Sequence, residues 1–238
     1  MEIFGYSERG AMNALFYGMA FSKNGDDLMK KFLGRSDESI EFKLYNEFSL
    51  SEFGSPDFVI IAHYKEAYKD KYDAYFIEAK ASNGTNYNLT TQLDHHIQYL
   101  ENGRYDNGHA SNLFFQIRLK HYFFSQRKTI IQQGGKSINE NSKIERTKNG
   151  FRKLGQNPIV KKFAEDLEKC EKAYYIAIIP KQDRTIDCYK DFPSDLSIRY
   201  VFWEDLNKDD DFKEILSETM KYNKEDNYSQ IENIINSL

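Results

Sequence analysis

Cysteine is nearly absent from this chain. Cys170 and Cys188 are the two among 238 residues, and neither belongs to a Cys-x-x-Cys pair. That argues against a disulfide framework and a zinc knuckle, and fits a reducing, cytoplasmic compartment. No apolar run approaches the roughly 18 residues that a membrane span needs, so no membrane partner is expected. The start, Met1-Glu2-Ile3-Phe4-Gly5, lacks both the basic region and the apolar core of a secretory signal. There are four prolines, no Pro/Ser linker and no internal repeat, so one domain over 1–238 is expected before two small ones. Histidine is scarce as well. Four of the five (His95, His96, His109 and His121) fall close together. Adjacent histidines on a helix point about 100° apart, and no acidic or Cys ligand stands at a matching spacing, so zinc is set aside.

The net charge of −4 hides an uneven distribution. From Arg118 to Lys162 there are twelve basic residues against Glu140 and Glu145, which leaves net −14 on the rest. A cationic patch on an anionic body would draw a phosphate backbone to it. Its nucleic-acid-binding candidates are Arg118, Lys120, Arg127, Lys128, Lys136, Lys143, Arg146, Lys148, Arg152 and Lys153. The alternative is a solvated loop balanced by the acidic C-terminal part. The middle of this segment is Gly- and Asn-rich without strong periodicity, and predicts a basic, flexible insertion at about 125–157. Gly135-Lys136-Ser137 does not make a P-loop, because Ile130 occupies the position of that motif's first glycine.

The apolar patterning predicts an α/β layout, a central mixed sheet flanked by helices. Ser7 can cap a helix running to about Phe21, and a second short helix starts at Asp26 or Asp27 and stops at Gly34. Ile40 to Phe48 alternates like a half-buried strand. Two apolar runs follow, Phe58 to Ile61 and Ala74 to Ala79, separated by a Lys- and Tyr-rich insert that is either helical or a hairpin tip. Leu93, Ile97 and Leu100 mark a helix over 89–100. Asn112 to Phe115 and Ile117 to Phe124 predict a strand or a helix–strand junction. Pro158 opens a helix to about Glu171, Ala173 to Ile179 is a buried strand, Thr185 to Tyr189 continues beyond a turn, and Ile198 to Trp203 is a further strand. An acidic helical region closes the chain.

Two of those apolar runs carry charge at one end. Asp57 stands at the head of Phe58-Val59-Ile60-Ile61, and Ala74-Tyr75-Phe76-Ile77 ends on Glu78-Ala79-Lys80. Paired as buried strands, they would gather three charges at one point of an apolar sheet, where an unpaired charge costs several kcal/mol. Side chains alternate along a strand, so Glu78 and Lys80 share a face and Ala79 points away. Asp57 and Glu78 together could hold a hard cation, Mg²⁺ or in its place Mn²⁺, that keeps several waters. Such an ion would polarise a phosphoryl oxygen and lower the pKa of a bound water, with Lys80 orienting that water. The acidic-x-Lys triplet recurs at Glu41-Phe42-Lys43 and Asp211-Phe212-Lys213. Only the copy at Glu78 closes an apolar run and follows a Pro-Asp-led one. The other reading is a same-face pair on an exposed edge strand.

Asp57, Glu78 and Lys80 resemble the signature of the PD-(D/E)xK nuclease superfamily, over roughly residues 45–100. The resemblance implies a restriction-endonuclease-like core and a metal-dependent nuclease acting on DNA in restriction, repair or mobile-element defence, endonuclease rather than exonuclease. It implies Asp57, Glu78 and Lys80 as catalytic residues, with Asp57, Glu78 and the Ala79 backbone carbonyl as metal ligands. Many members use a glutamate of the N-terminal helix as an auxiliary ligand, a role open to Glu8, which could instead only favour the helix dipole. The exonuclease-like branch carries Gln-x-x-x-Tyr on the helix after the site. Here Gln92 is followed four residues later by His96, with Tyr99 at seven, so Gln92 is an auxiliary candidate without that pattern. Double-strand cutting would favour a homodimer. A catalytically silent nucleic-acid- or protein-binding module on the same fold is the alternative function.

Overall fold

The computed structural model describes residues 8–36, 39–46, 48–50, 53–80, 89–102, 112–132, 157–181 and 196–222. Five strands form one mixed sheet in the order β1 (Ile40–Asn46), β2 (Phe58–Glu66), β3 (Lys69–Ala79), β4 (Lys172–Ile179) and β5 (Ile198–Phe202). The first three make an antiparallel meander, and β4 and β5 join it in parallel. Helices cover both faces, giving the α/β arrangement that the apolar patterning implies.

Strict alternation along β2, β3 and β4 builds two cores. Val59, Ile61, Ala74, Phe76, Tyr175, Ala177 and Ile179 face α3 (Leu89–Asn102), α4 (Leu113–Gln132) and α5 (Pro158–Lys169). Phe58, Ile60, Ala62, Tyr75, Ile77, Ala79, Ile176 and Ile178 face α1 (Glu8–Phe21), α2 (Gly25–Leu33), α6 (Trp203–Lys208) and α7 (Asp210–Tyr222). Central strands buried on both faces read as continuous apolar runs, as a parallel pairing requires. Helix ends follow their signals. Gly34 closes α2 at φ 67° in the left-handed region, and the Asn157 side chain caps α5 ahead of Pro158.

Of the two readings of the Lys- and Tyr-rich insert the hairpin tip holds: β2 and β3 continue to a two-residue turn at Ala67 and Tyr68, both at positive φ. Other expectations are corrected. Trp203 opens α6 rather than ending a strand. The larger difference lies at 113–132, one helix of 20 residues where a strand or a junction was expected. Packed against the sheet and against α3 and α5, α4 buries Leu113, Phe114, Phe115, Ile117, Leu119, Phe123, Phe124 and Ile130. A helix apolar on several sides loses the period that would identify it, and a short apolar run then reads equally as strand. Asn112 starts it, accepting from the Phe115 N–H at 3.1 Å. Residues 125–132, expected in the flexible insertion, are instead the last turns of α4; the rest of that expected insertion, up to 156, and Thr185 to Tyr189 lie outside the described residues. Among the described residues no helix is long and apolar enough to cross a membrane.

Candidate active site

The site forms where β3 leaves the sheet. Phe58 pairs with Ile77 in the antiparallel register, so one step further Asp57 stands opposite Glu78, on the face of α3–α5. The Asp57 Oδ2 accepts from the Ala79 N–H at 2.9 Å. A strand residue sends its N–H and its carbonyl to the same side, so the Ala79 carbonyl also faces the Asp57 side. Lys80 extends the ladder to β4 through its N–H to the Ile178 carbonyl at 2.8 Å. Its own carbonyl accepts from the Trp203 indole at 2.9 Å, which anchors the strand end against α6. The Lys80 ammonium reaches the Gln116 Oε1 of α4 at 3.5 Å. Across the sheet Glu78 is aligned with Ala177 on β4, which presents only a methyl group to it. Asp57, Glu78 and Lys80 are thus brought together as the alternation implies, and β3 is a central strand rather than an exposed edge.

Glu78 is the outlying group. It is 0% exposed, and apart from one lysine ammonium its oxygens have no hydrogen-bond partner. The nearest cation is the Lys120 ammonium of α4, 2.8 Å from Oε1 and itself 0% exposed. Burial pushes the Glu78 carboxyl up to about 7, Lys120 and Lys80 pull it down, and the Asp57 charge adds to the push. Asp57 is the partly exposed member, so solvent reaches the site from its side.

The remaining candidates separate. Gln92 is buried between α3 and α4, where its Oε1 accepts from the Leu113 N–H at 2.8 Å and its carbonyl accepts from the Asn112 amide at 2.7 Å. It joins two helices at the start of α4. Glu8 opens α1, and its side chain lies outside the described residues. Of the basic set, Lys128 is exposed on α4. Arg118 donates to the His96 Nε2 at 3.2 Å. Arg127 is spent on the Phe124, Leu167 and Cys170 carbonyls, tying α4 to the end of α5. Lys120 is a correction: it was expected on a cationic surface and instead stands inside the site. Counting charges along the chain cannot tell which face of a helix a lysine occupies. No local signal marked it out, since Gln116, Arg118 and His121 break the stretch from Phe114 to Phe124 as Lys120 does. Lys136, Lys143, Arg146, Lys148, Arg152 and Lys153 lie outside the described residues.

Among the described residues no group of three or more His, Cys, Asp and Glu could hold a metal ion. What the site offers is two carboxylates and one backbone carbonyl. A magnesium ion tolerates that sparse set because it retains water for its other positions. The buried Glu78 carboxylate, which has one ammonium and no further partner, is the observation that fits a cation there.

The chain matches no protein-family model, no curated protein and no solved structure. What it can be assigned on the described residues is an α/β class, with an acidic pair and two lysines at the end of the sheet's central strand.

Proposed function

We propose that this chain is a metal-dependent nuclease of the PD-(D/E)xK type, built on a restriction-endonuclease-like core, that hydrolyses phosphodiester bonds in DNA. The observation that carries the reading is Glu78, a fully buried carboxylate with no partner beyond one lysine ammonium, set opposite Asp57 and on the same strand face as Lys80. A protein has no stability reason to keep such a group. The meander that delivers Asp57 and Glu78, followed through helices by a parallel fourth strand, supports the same assignment.

Asp57, Glu78 and the Ala79 carbonyl would hold Mg²⁺, or Mn²⁺ in its place. Bound there, the ion supplies Lewis-acid stabilisation of phosphoryl charge and a water of lowered pKa. The chain's own residues do the rest. The Ala79 N–H orients Asp57 by its 2.9 Å bond, leaving Oδ1 for a ligand. Lys80, held at its backbone by Ile178 and Trp203, orients the attacking water and stabilises developing negative charge. Gln92 is engaged with α4 and the Gln-x-x-x-Tyr pattern is missing, which favours an endonuclease over an exonuclease.

A second reading is favoured by one observation. The Lys120 ammonium already neutralises Glu78, as it would in a catalytically silent nucleic-acid- or protein-binding module on the same fold. The deciding assay is cleavage of linear and circular duplex DNA, single-stranded DNA and RNA with Mg²⁺ or Mn²⁺, with a chelator control. Wild type should cut DNA, and Asp57→Ala, Glu78→Ala and Lys80→Ala should each lose at least about 10²-fold in rate, the scale of a removed electrostatic or acid–base group. Cleavage by Glu78→Ala at the wild-type rate would sink the site. Binding without cleavage of any substrate would favour the silent module.

A further inference from the structure

The Glu78–Lys120 pair is poorly made for a structural role. Both side chains are 0% exposed, the ammonium lies 2.8 Å from Oε1, and beyond that one contact neither the Glu78 oxygens nor the Lys120 Nζ has a hydrogen-bond partner. Two charges taken fully out of water repay that cost only with good geometry and further hydrogen bonds. The fold makes such pairs elsewhere: Asp73, also buried, receives the Arg35 guanidinium at 2.7 Å and the Tyr64 hydroxyl at 3.0 Å.

Space for the Lys120 ammonium is left on its other side by Gly54. A Cβ at that position would stand 3.2 Å from Nζ, and Gly54 sits at φ +79° in the turn that leads into Asp57. That turn is closed by the Leu50 N–H on the Gly54 carbonyl at 2.9 Å. Lys120 therefore fills the space between Glu78 and the turn that carries the second carboxylate.

Resting on the nuclease reading of this site, we infer that Lys120 is a tethered stand-in cation, which holds Glu78 in the ionised site and must yield the carboxylate before a divalent ion can bind. An ammonium and a divalent ion compete for the same carboxylate oxygens, so the lysine opposes metal binding rather than assisting it. A lysine that merely buttressed Glu78 would act in the other direction, since its removal would loosen a ligand and weaken binding. The sign of the effect separates the two roles.

The test is Mn²⁺ binding to the full chain by titration calorimetry, at one pH, for wild type, Lys120→Met, Lys120→Gln, Glu78→Gln and Asp57→Asn. The inference requires wild-type binding that Glu78→Gln and Asp57→Asn remove. It also requires binding at least about tenfold tighter in Lys120→Met and Lys120→Gln, within the usual span of coupling between two ligands. Equal or weaker binding in both lysine variants overturns the inference and leaves the metal site standing. Absence of Glu78-dependent binding in every form overturns both the inference and the nuclease reading. Binding by the lysine variants alone makes Lys120 a permanent occupant, which overturns the displacement and points to the silent module. The glutamine variant keeps a donor beside Glu78 without the charge, and so guards against misfolding of Lys120→Met. If neither variant keeps the wild-type circular dichroism, Lys120 is a structural residue and the inference fails.

Discussion

Asp166 of α5 and Glu78 of β3 are both closed off from solvent on the same side of the sheet, and the fold treats them differently. Asp166 accepts from the Tyr45 hydroxyl at 2.7 Å and from Lys43 and Lys169 at 2.9 and 3.1 Å. Burial alone would raise its pKa, but those three partners outweigh it and hold the carboxyl well below the usual range. Glu78 has one ammonium and no further hydrogen-bond partner, and burial wins, raising it to about 7. Burial by itself therefore says little about a carboxylate. A saturated one fastens elements together, here β1 to α5, and an unsaturated one is held ready for something else.

The largest effect that would sharpen this contrast is on stability. Asp166→Ala strands the buried Tyr45 hydroxyl and releases Lys43, Lys169 and the more distant Lys162, and should cost about 3 kcal/mol in urea unfolding, the lower end for breaking a buried pair. A loss under about 1 kcal/mol would mean that Asp166 is no fastener.

Next in size is a pH effect of opposite sign at the two sites. The Glu78 pKa is raised in the folded chain from an ordinary 4.5 to about 7, so its contribution is complete below 4.5 and is lost as pH rises to about 7. The loss is on the order of 3 kcal/mol. The Asp166 pKa is depressed from 3.8, so its contribution is complete above 3.8 and is lost as pH falls. Metal-free Glu78→Gln should lack the decline between pH 4.5 and 7 while Asp166→Asn keeps it and loses the acid limb. Parallel stability curves for wild type and Glu78→Gln across that window would remove the basis for contrasting Glu78 with Asp166.

The smallest effect probes redundancy. Lys43 is about half exposed and shares Asp166 with Tyr45 and Lys169, so Lys43→Met should cost less than about 1 kcal/mol in the same unfolding measurement. A larger cost would show that Asp166 is no better provided for than Glu78, whose one close cation is Lys120.

The three charges of the site were legible because each stands at the end of an apolar run, where alternation alone sets the face. Glu78 and Lys80 share that face, and the register brings Asp57 to it. The helix at 113–132 was not legible, because its buried sides erase the period on which the reading depends. Gln92 and Arg127 misled for a related reason. Polar side chains that satisfy backbone groups inside a helix joint have the same composition as those that meet a ligand.

The chain alone determined the alternation of strands, the helix stop at Gly34, the helix start at Pro158, and the apolar runs of β2 and β3, since these depend on neighbours within a few residues. Only the tertiary structure decided that Lys120 faces Glu78 across 2.8 Å. That contact joins residues 42 positions apart, and it depends on how α4 is rotated against the sheet, which packing of its several apolar sides sets and no local period records.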